Sequence, residues 1–224
     1  MRWVIYILFF CSVLTFSFCT SASGKNMDEQ NETEEFVLPQ NTAVVELRDY
    51  MAFVEEPRNG LRKTKEIEDM VYTLQYTPLE YVIAMEKLKD TLSSEEVTKR
   101  KDELKDMQYF TLKIEAKNNN LELLRYKLES DEEYQDRVHY FSFDMQKDIY
   151  LMDGKDSIPC ALYHFERNFG VAPYAKFVLG FETSQGNVIE DKKFSLNDRV
   201  FNVGRINIKI NKNSIKSIPK IKTY

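Results

Sequence analysis

The sequence predicts an α+β fold, with helices mainly in the first half and an antiparallel sheet mainly in the second. Three observations carry this. Phe and Tyr are abundant, at 15 and 13, while Gly and Pro are scarce, at 7 and 6. That composition suits cross-strand aromatic pairs and argues against collagen-like or low-complexity chains. Helix-start signals cluster before residue 135, and alternating apolar segments dominate from His139 onward. Hydrophobic residues make up 43% of the 224, enough for a core, and the length suits one domain or two small ones.

Taken in order, the folded part starts near Phe36 to Val45. Val44, Val45, Leu47, Tyr50, Met51 and Phe53 form an apolar set of mixed periodicity that fits helix and strand equally. Glu55 to Gly60 is a turn on Pro and Asn-Gly chemistry. Val71–Tyr76 alternates as a strand. Thr77-Pro78 then opens a helix, with Pro at its first position and Leu79, Val82, Ile83, Met85 and Leu88 on its apolar face. Ser93 and Glu96 have capping-box spacing for a second helix. Glu95–Lys99 and Glu96–Arg100 are expected i,i+4 pairs along it, and Val97, Leu104 and Met107 form its thin apolar stripe. Tyr109–Glu115 is a strand with Phe110, Leu112 and Ile114 on one face. Asn118 to Asn120 is a turn, and Ser130 with Glu133 starts another short helix. Later strands are expected over His139–Phe143, Ile149–Met152, Ala175–Glu182 and Arg205–Ile210. Turns fall at Asp153-Gly154 and Gln185 to Asn187.

The N-terminus is a leader. Met1 to Thr20 hold one charge, Arg2, ahead of an apolar run from Trp3 to Phe18. A bilayer span needs roughly 20 apolar residues, and small polar residues follow this run instead of a basic stop-transfer cluster. A signal peptide fits better than an uncleaved anchor. Two processing routes compete. Thr20-Ser21-Ala22 suits a cut after Ala22. The stretch Leu14-Thr-Phe-Ser-Phe-Cys19, a cysteine closing an apolar run, resembles the lipobox of bacterial envelope lipoproteins, with Phe18 where a small residue is usual. The resemblance implies that Cys19 becomes the lipid-modified first residue. Thr20 to Gln40 is polar and acidic, with Asp28, Glu29, Glu32, Glu34 and Glu35. It cannot bury enough apolar area to fold and suits a tether. The expected organisation is a signal peptide at 1–18, a flexible acidic linker at 19–40, and one α+β domain at 41–224 with a possible sub-boundary near 130–138.

Net charge is −5, but Arg205, Lys209, Lys212, Lys216, Lys220 and Lys222 make the C-terminal end basic. Export removes nucleic acid from the expected partners. The alternation of Arg205, Asn207 and Lys209 with Ile206, Ile208 and Ile210 places these charges on the solvent face of a final strand, where lysine also discourages edge-to-edge association. Of three cysteines, Cys11 and Cys19 lie in the leader. Cys160 alone remains in the body, so no internal disulfide is expected.

No stretch carries a strong catalytic or cofactor signature. With His139 and His164 alone, a His-based zinc site is not expected, and no cofactor is. Cys160 and His164 would share a face on a helix but lie about 13 Å apart on a strand. Asp144, Asp148, Asp153, Asp156 and Glu166 cluster in sequence without EF-hand spacing. Asp90-Thr-Leu92 and Asp156-Ser-Ile158 resemble the O-glycosylation triplets of some envelope bacteria. The expected binding surface is Tyr163, His164, Phe165, Glu166, Arg167 and Tyr174, with Phe169 beside them; buried, the same aromatics are core. The functional expectation is an exported, lipid-anchored envelope protein, at the outer membrane or cell surface. It touches the membrane through a lipid on Cys19 and acts as a binding or structural module for a protein or glycan. The alternatives are a secreted or periplasmic location, and a hydrolase using carboxylates of the 144–166 stretch.

Overall fold

The structure is a computed structural model and describes residues 43–87, 93–183 and 189–223. The leader, Cys19, the acidic linker, the Asp90–Leu92 triplet and the expected turn at Gln185–Asn187 lie outside the described residues. The chain divides into two units, Met1–Phe36 and Val37–Tyr224, and every described residue belongs to the second.

In chain order the elements are β1 (Val44–Val45), α1 (Leu47–Glu55), β2 (Arg62–Ile67), β3 (Met70–Thr77), α2 (Leu79–Lys87), α3 (Ser94–Leu104), β4 (Met107–Ala116) and α4 (Asp131–His139). Then follow β5 (Ile149–Asp153), β6 (Asp156–Pro159), β7 (Leu162–Glu166), β8 (Tyr174–Glu182), β9 (Lys192–Asp198), β10 (Gly204–Ile210), α5 (Lys212–Lys216) and β11 (Lys220–Ile221). The fold is α+β, helices mostly early and sheets later. The first half nevertheless supplies three strands of the larger sheet.

Period-two alternation decides the architecture, because each alternating strand must bury one face. β2, β3, β4, β8 and β7 form one antiparallel sheet in that order, and β10, β9, β5 and β6 form a second. Tyr72, Leu74, Phe110, Leu112, Ile114, Phe177, Leu179 and Phe181 from the first share one buried core with Ile149, Leu151, Phe194, Leu196, Ile206, Ile208 and Ile210 from the second. Packed rings fill it. Phe110 meets Tyr76 and Phe181 edge-on at 5.3 and 5.6 Å, the arrangement aromatic quadrupoles favour. The chain passes from the second sheet to the first at Cys160-Ala161, where Cys160 N–H donates to Ile149 O and Ala161 N–H to Gly180 O. On the other side β2 and β10 lie against each other. Helices α1, α2 and α3 bury a smaller cluster of Leu47, Ile83, Ala84 and Val97.

The apolar set that fitted helix or strand resolves into both: β1 pairs with β11 in parallel, and Leu47 onward is α1. Several expectations are corrected. His139–Phe143 is not a strand; α4 runs on into a π-helical turn at Tyr140–Asp144, because that turn drops Phe141 into the core against Phe165 and Phe177. Arg100 does not pair with Glu96. It reaches Glu86 at 2.8 Å and Glu103 at 2.6 Å, since Glu96 completes the capping box with Ser93. Met107 belongs to β4, not to the stripe of α3. Ser130 caps α4 as expected, but Glu133 turns its carboxylate to Glu129 N–H instead of closing the box. The expected sub-boundary near 130–138 falls inside α4.

Candidate functional site

The expected binding surface lies on one hairpin, β7 to β8, and the pleat divides it. Tyr163 and Phe165 turn inward. Phe165 stacks on Phe177 at 5.0 Å and meets Phe141 at 5.8 Å, and Tyr163 donates its hydroxyl to Phe141 O at 2.5 Å. Burial pushes the Tyr163 phenol above its ordinary value. His164 is exposed, and Glu166, on the same outer face, pairs with Lys176 of β8 at 2.9 Å. Tyr174 lies on that face under Lys113, 5.4 Å from its ring. Arg167 leaves the strand and sits 4.9 Å over the Phe169 ring.

The loop between the strands is built by Asn168. Its side chain donates to Tyr174 O at 2.5 Å and accepts from Gly170 N–H at 3.2 Å, while its carbonyl accepts from Val171 N–H at 3.0 Å. The tight path puts Phe169 at φ 51° and Gly170 at φ 82°. Four other non-glycine residues share that region, namely Glu68, Asn118, Lys127 and Asn202. Among the described residues Phe169 is the only apolar one of these, and left-handed backbone costs an L-residue about 1–2 kcal/mol. Its ring is 76% exposed and Val171 is 90% exposed. The tip therefore holds Phe169 in water on strained backbone, with exposed Val171 two residues on.

Cys160 and His164 are not a catalytic pair in this geometry. Cys160 precedes a strand, so the extended stretch holds the two apart. The thiol is buried, donates to Leu162 O at 3.1 Å, and burial pushes it up to about 12. A thiol so held is a packing group and not a nucleophile at neutral pH.

A second feature went unread in the sequence. A hollow of about 260 Å³ is lined by Glu133, Asp136, Arg137, Tyr140, Arg199 and Val200. α4 and its π-helical extension supply one wall, and the turn after β9 supplies the other. Beneath it lie two buried carboxylates. Asp148 accepts from Tyr140 at 2.9 Å and from Arg199 at 3.0 and 2.5 Å. Asp198 accepts from Tyr72 at 2.7 Å and from the Val200 and Phe201 amides at 2.9 and 2.7 Å. Burial raises the Asp198 pKa, against the pull of these donors and of Arg137. Arg137 itself is buried, donates to Leu124 O and Tyr126 O, and pairs with Glu133. Asp148 is matched by Arg199 and Arg137 by Glu133, while Asp198 is held by neutral donors and the Nε of Arg137 has no hydrogen-bond partner among the described residues.

None of the five clustered carboxylates lines this hollow. Asp153 is held by Lys192 at 2.5 Å and Gln108 at 3.0 Å. Asp144 is paired with Lys147 and His139 at 2.7 and 3.1 Å. Asp156 is exposed on β6. Among the described residues no group of three metal-ligating side chains gathers, and no helix is long and apolar enough to cross a membrane. The signals for Asp198 and Arg199 were faint: β9 reads Lys-Lys-Phe-Ser-Leu-Asn-Asp, with two apolar residues to mark it as a strand. No protein-family model matches the chain, and no curated protein or solved structure matches it either.

Proposed function

We propose that this protein is exported, held at the cell envelope by a lipid on Cys19, and binds another protein through the β7–β8 hairpin. What supports the anchor is the sequence: an apolar run closed by Cys19 and followed by an acidic stretch suited to a tether. The observation that carries the binding reading is Phe169. A large apolar ring held in left-handed backbone and mostly exposed to water, beside Val171, brings the isolated chain little burial beyond its stack with Arg167. Such strain points to contacts made with something else. The hydrolase reading draws no such support, because Asp144, Asp148, Asp153 and Glu166 are each engaged by their own cation.

Two measurements test the proposal. Mass spectrometry of the mature chain should find an acylated Cys19; an unmodified terminus at Ser23 overturns the lipid. A photo-crosslinking residue at position 171 of the membrane-associated chain should give a discrete protein adduct that the same residue at position 193, on exposed β9 surface, does not. Identical labelling from both positions overturns the hairpin as a docking site, and a glycan-only adduct changes the class of partner.

A further inference from the structure

The two sheets have four edges, and a strand edge left bare invites another strand. β2 and β10 lie against each other, and both carry lysines there: Lys63 and Lys65 on β2, Lys209 on β10. β6 is four residues long and ends in Pro159, which cannot donate to a ladder. β7 is different. It is the outer strand of the larger sheet, pairs with β8 alone, and reads Leu-Tyr-His-Phe-Glu. It has no lysine and no proline. The chain does cover the approach to it: Gln146 donates to the carbonyls of Cys160 at 2.9 Å and Ala161 at 3.4 Å. From Leu162 to Glu166, among the described residues, no main-chain hydrogen bond other than those of β8 reaches the strand, although the Cys160 thiol donates to Leu162 O and the Tyr163 hydroxyl to Phe141 O.

We infer that β7 takes up, by strand addition along this open edge, an extended, acid-bearing segment of another protein. The inference rests on the binding reading above and gives it a mode. Bare main-chain donors and acceptors are satisfied in full only by another extended backbone, and alternate side chains supply selectivity. Charge decides the character of the segment. Glu166 is neutralised by Lys176. Arg167 is exposed, stacks on Phe169 and donates to Tyr134 at 3.4 Å, with no carboxylate paired to it among the described residues. Glu122, which accepts from the same Tyr134 hydroxyl, is paired with Arg125 at 3.6 Å, so the charge offered at the end of β7 is that of Arg167, and an incoming carboxylate complements it. Exposed Leu162 at one end and Phe169 with Val171 at the other give the segment's apolar side chains something to cover. Three such side chains fall well short of the roughly 800 Å² per partner of a standard globular interface, which favours a short strand over a folded face.

A random heptapeptide display library panned on the full chain tests this, with recovered peptides synthesised for anisotropy titration and amide hydrogen exchange. Recovered peptides should alternate apolar residues and carry an acid at one end, and binding should slow exchange at residues 162–166. N-methylation of every second peptide residue should weaken binding about tenfold or more in one of the two alternating sets and little in the other. Arg167→Glu should weaken acidic peptides about tenfold and favour their lysine counterparts. Protection elsewhere on the chain overturns the strand-addition mode while leaving a binding module standing. Indifference to N-methylation, or failure to recover peptides, also overturns it. A free chain that is already a dimer through 162–166 makes a second copy the occupant. Partition onto anionic vesicles with protection of 169–171 alone makes it a lipid surface.

Discussion

Asp198 shows how much one buried side chain holds in place. Its carboxylate ends β9, receives Tyr72 from the other sheet, and fixes the turn through two amides. Asp198→Ala leaves one buried and two part-buried donors without an acceptor, and at about 1–3 kcal/mol for an unsatisfied buried group, less for the part-buried amides, a loss of about 3 kcal/mol is expected in guanidinium unfolding. Asp198→Asn keeps the Oδ1 acceptor for both amides and should cost within about 1 kcal/mol at pH 7. The pH dependence separates charge from shape. Burial raises this pKa in the folded chain, so the folded state holds the proton more tightly than the unfolded. The protonated form contributes stability that is fully present below the unfolded value, near 3.8, and is lost as pH rises through the folded value. Asn does not titrate. The stability of Asp198→Asn relative to wild type should therefore improve between pH 4 and pH 7. Glu133 and Asp144, whose values are lowered, run the opposite way but cancel in the difference. A relative improvement toward acid would contradict the assignment. None of this was legible in the sequence, where Asp198 is one of 36 acidic residues and its partner Tyr72 stands 126 positions away.

At the scale of elements, alternation was readable where a strand buries one whole face. β3, β4, β5, β8 and β10 have that pattern, with Leu112, Ile114, Phe177 and Ile208 in the core. β2, written Arg-Lys-Thr-Lys-Glu-Ile, buries almost nothing because it is an edge, so hydrophobic periodicity has nothing to report. β6 and β7 escaped for the same reason. The aromatic run at 139–143 misled in the other direction, since one buried ring, Phe141, suffices to seat a π-helical turn. The candidate hairpin was therefore half legible: its aromatic and charged residues stand out in the sequence, but not that alternation sends Tyr163 and Phe165 inward and leaves Phe169 outside. Gly180 on β8 controls how closely β7 can lie. A Cβ there would stand 2.8 Å from Met107 Cε and 2.9 Å from Leu162 Cβ. The methionine end can swing away, but a Cβ next to backbone cannot. Gly180→Ala should therefore destabilise by about 1–3 kcal/mol, the usual cost of overpacking, despite the lower chain entropy of alanine. Amide exchange should quicken first along 162–166. Unchanged exchange on β7 with a global loss of stability would place the strain at Met107 instead.

For the whole molecule, the arrangement of strands is the part that composition and periodicity could not supply. The order β2-β3-β4-β8-β7 and β10-β9-β5-β6 brings residues far apart in sequence into one core, and no local signal encodes it. The closing contact is the shortest of all. β1 and β11 are two residues each and join the beginning of the described chain to its end. Lys220 N–H donates to Ala43 O at 2.9 Å, Lys222 N–H to Val45 O at 2.8 Å, and Lys222 pairs with Glu46 at 2.7 Å. With Cys160 as the lone thiol of the body, nothing covalent reinforces this junction, so its contribution can be measured by shortening the chain. A chain beginning at Val37 keeps the junction and should melt cooperatively at the full-length temperature. A chain beginning at Leu47 loses the β1–β11 main-chain bonds, the Lys222–Glu46 pair, the Glu46 carbonyl that accepts Tyr50 N–H, and the packing of Val45 against the core. At about 1 kcal/mol for each main-chain bond, the loss is at least about 2 kcal/mol, or roughly 4–8 °C for a domain of this size. If the shorter chain melts unchanged, the two ends are joined in geometry without being joined in energy, and the stability of the body resides wholly in the two packed sheets.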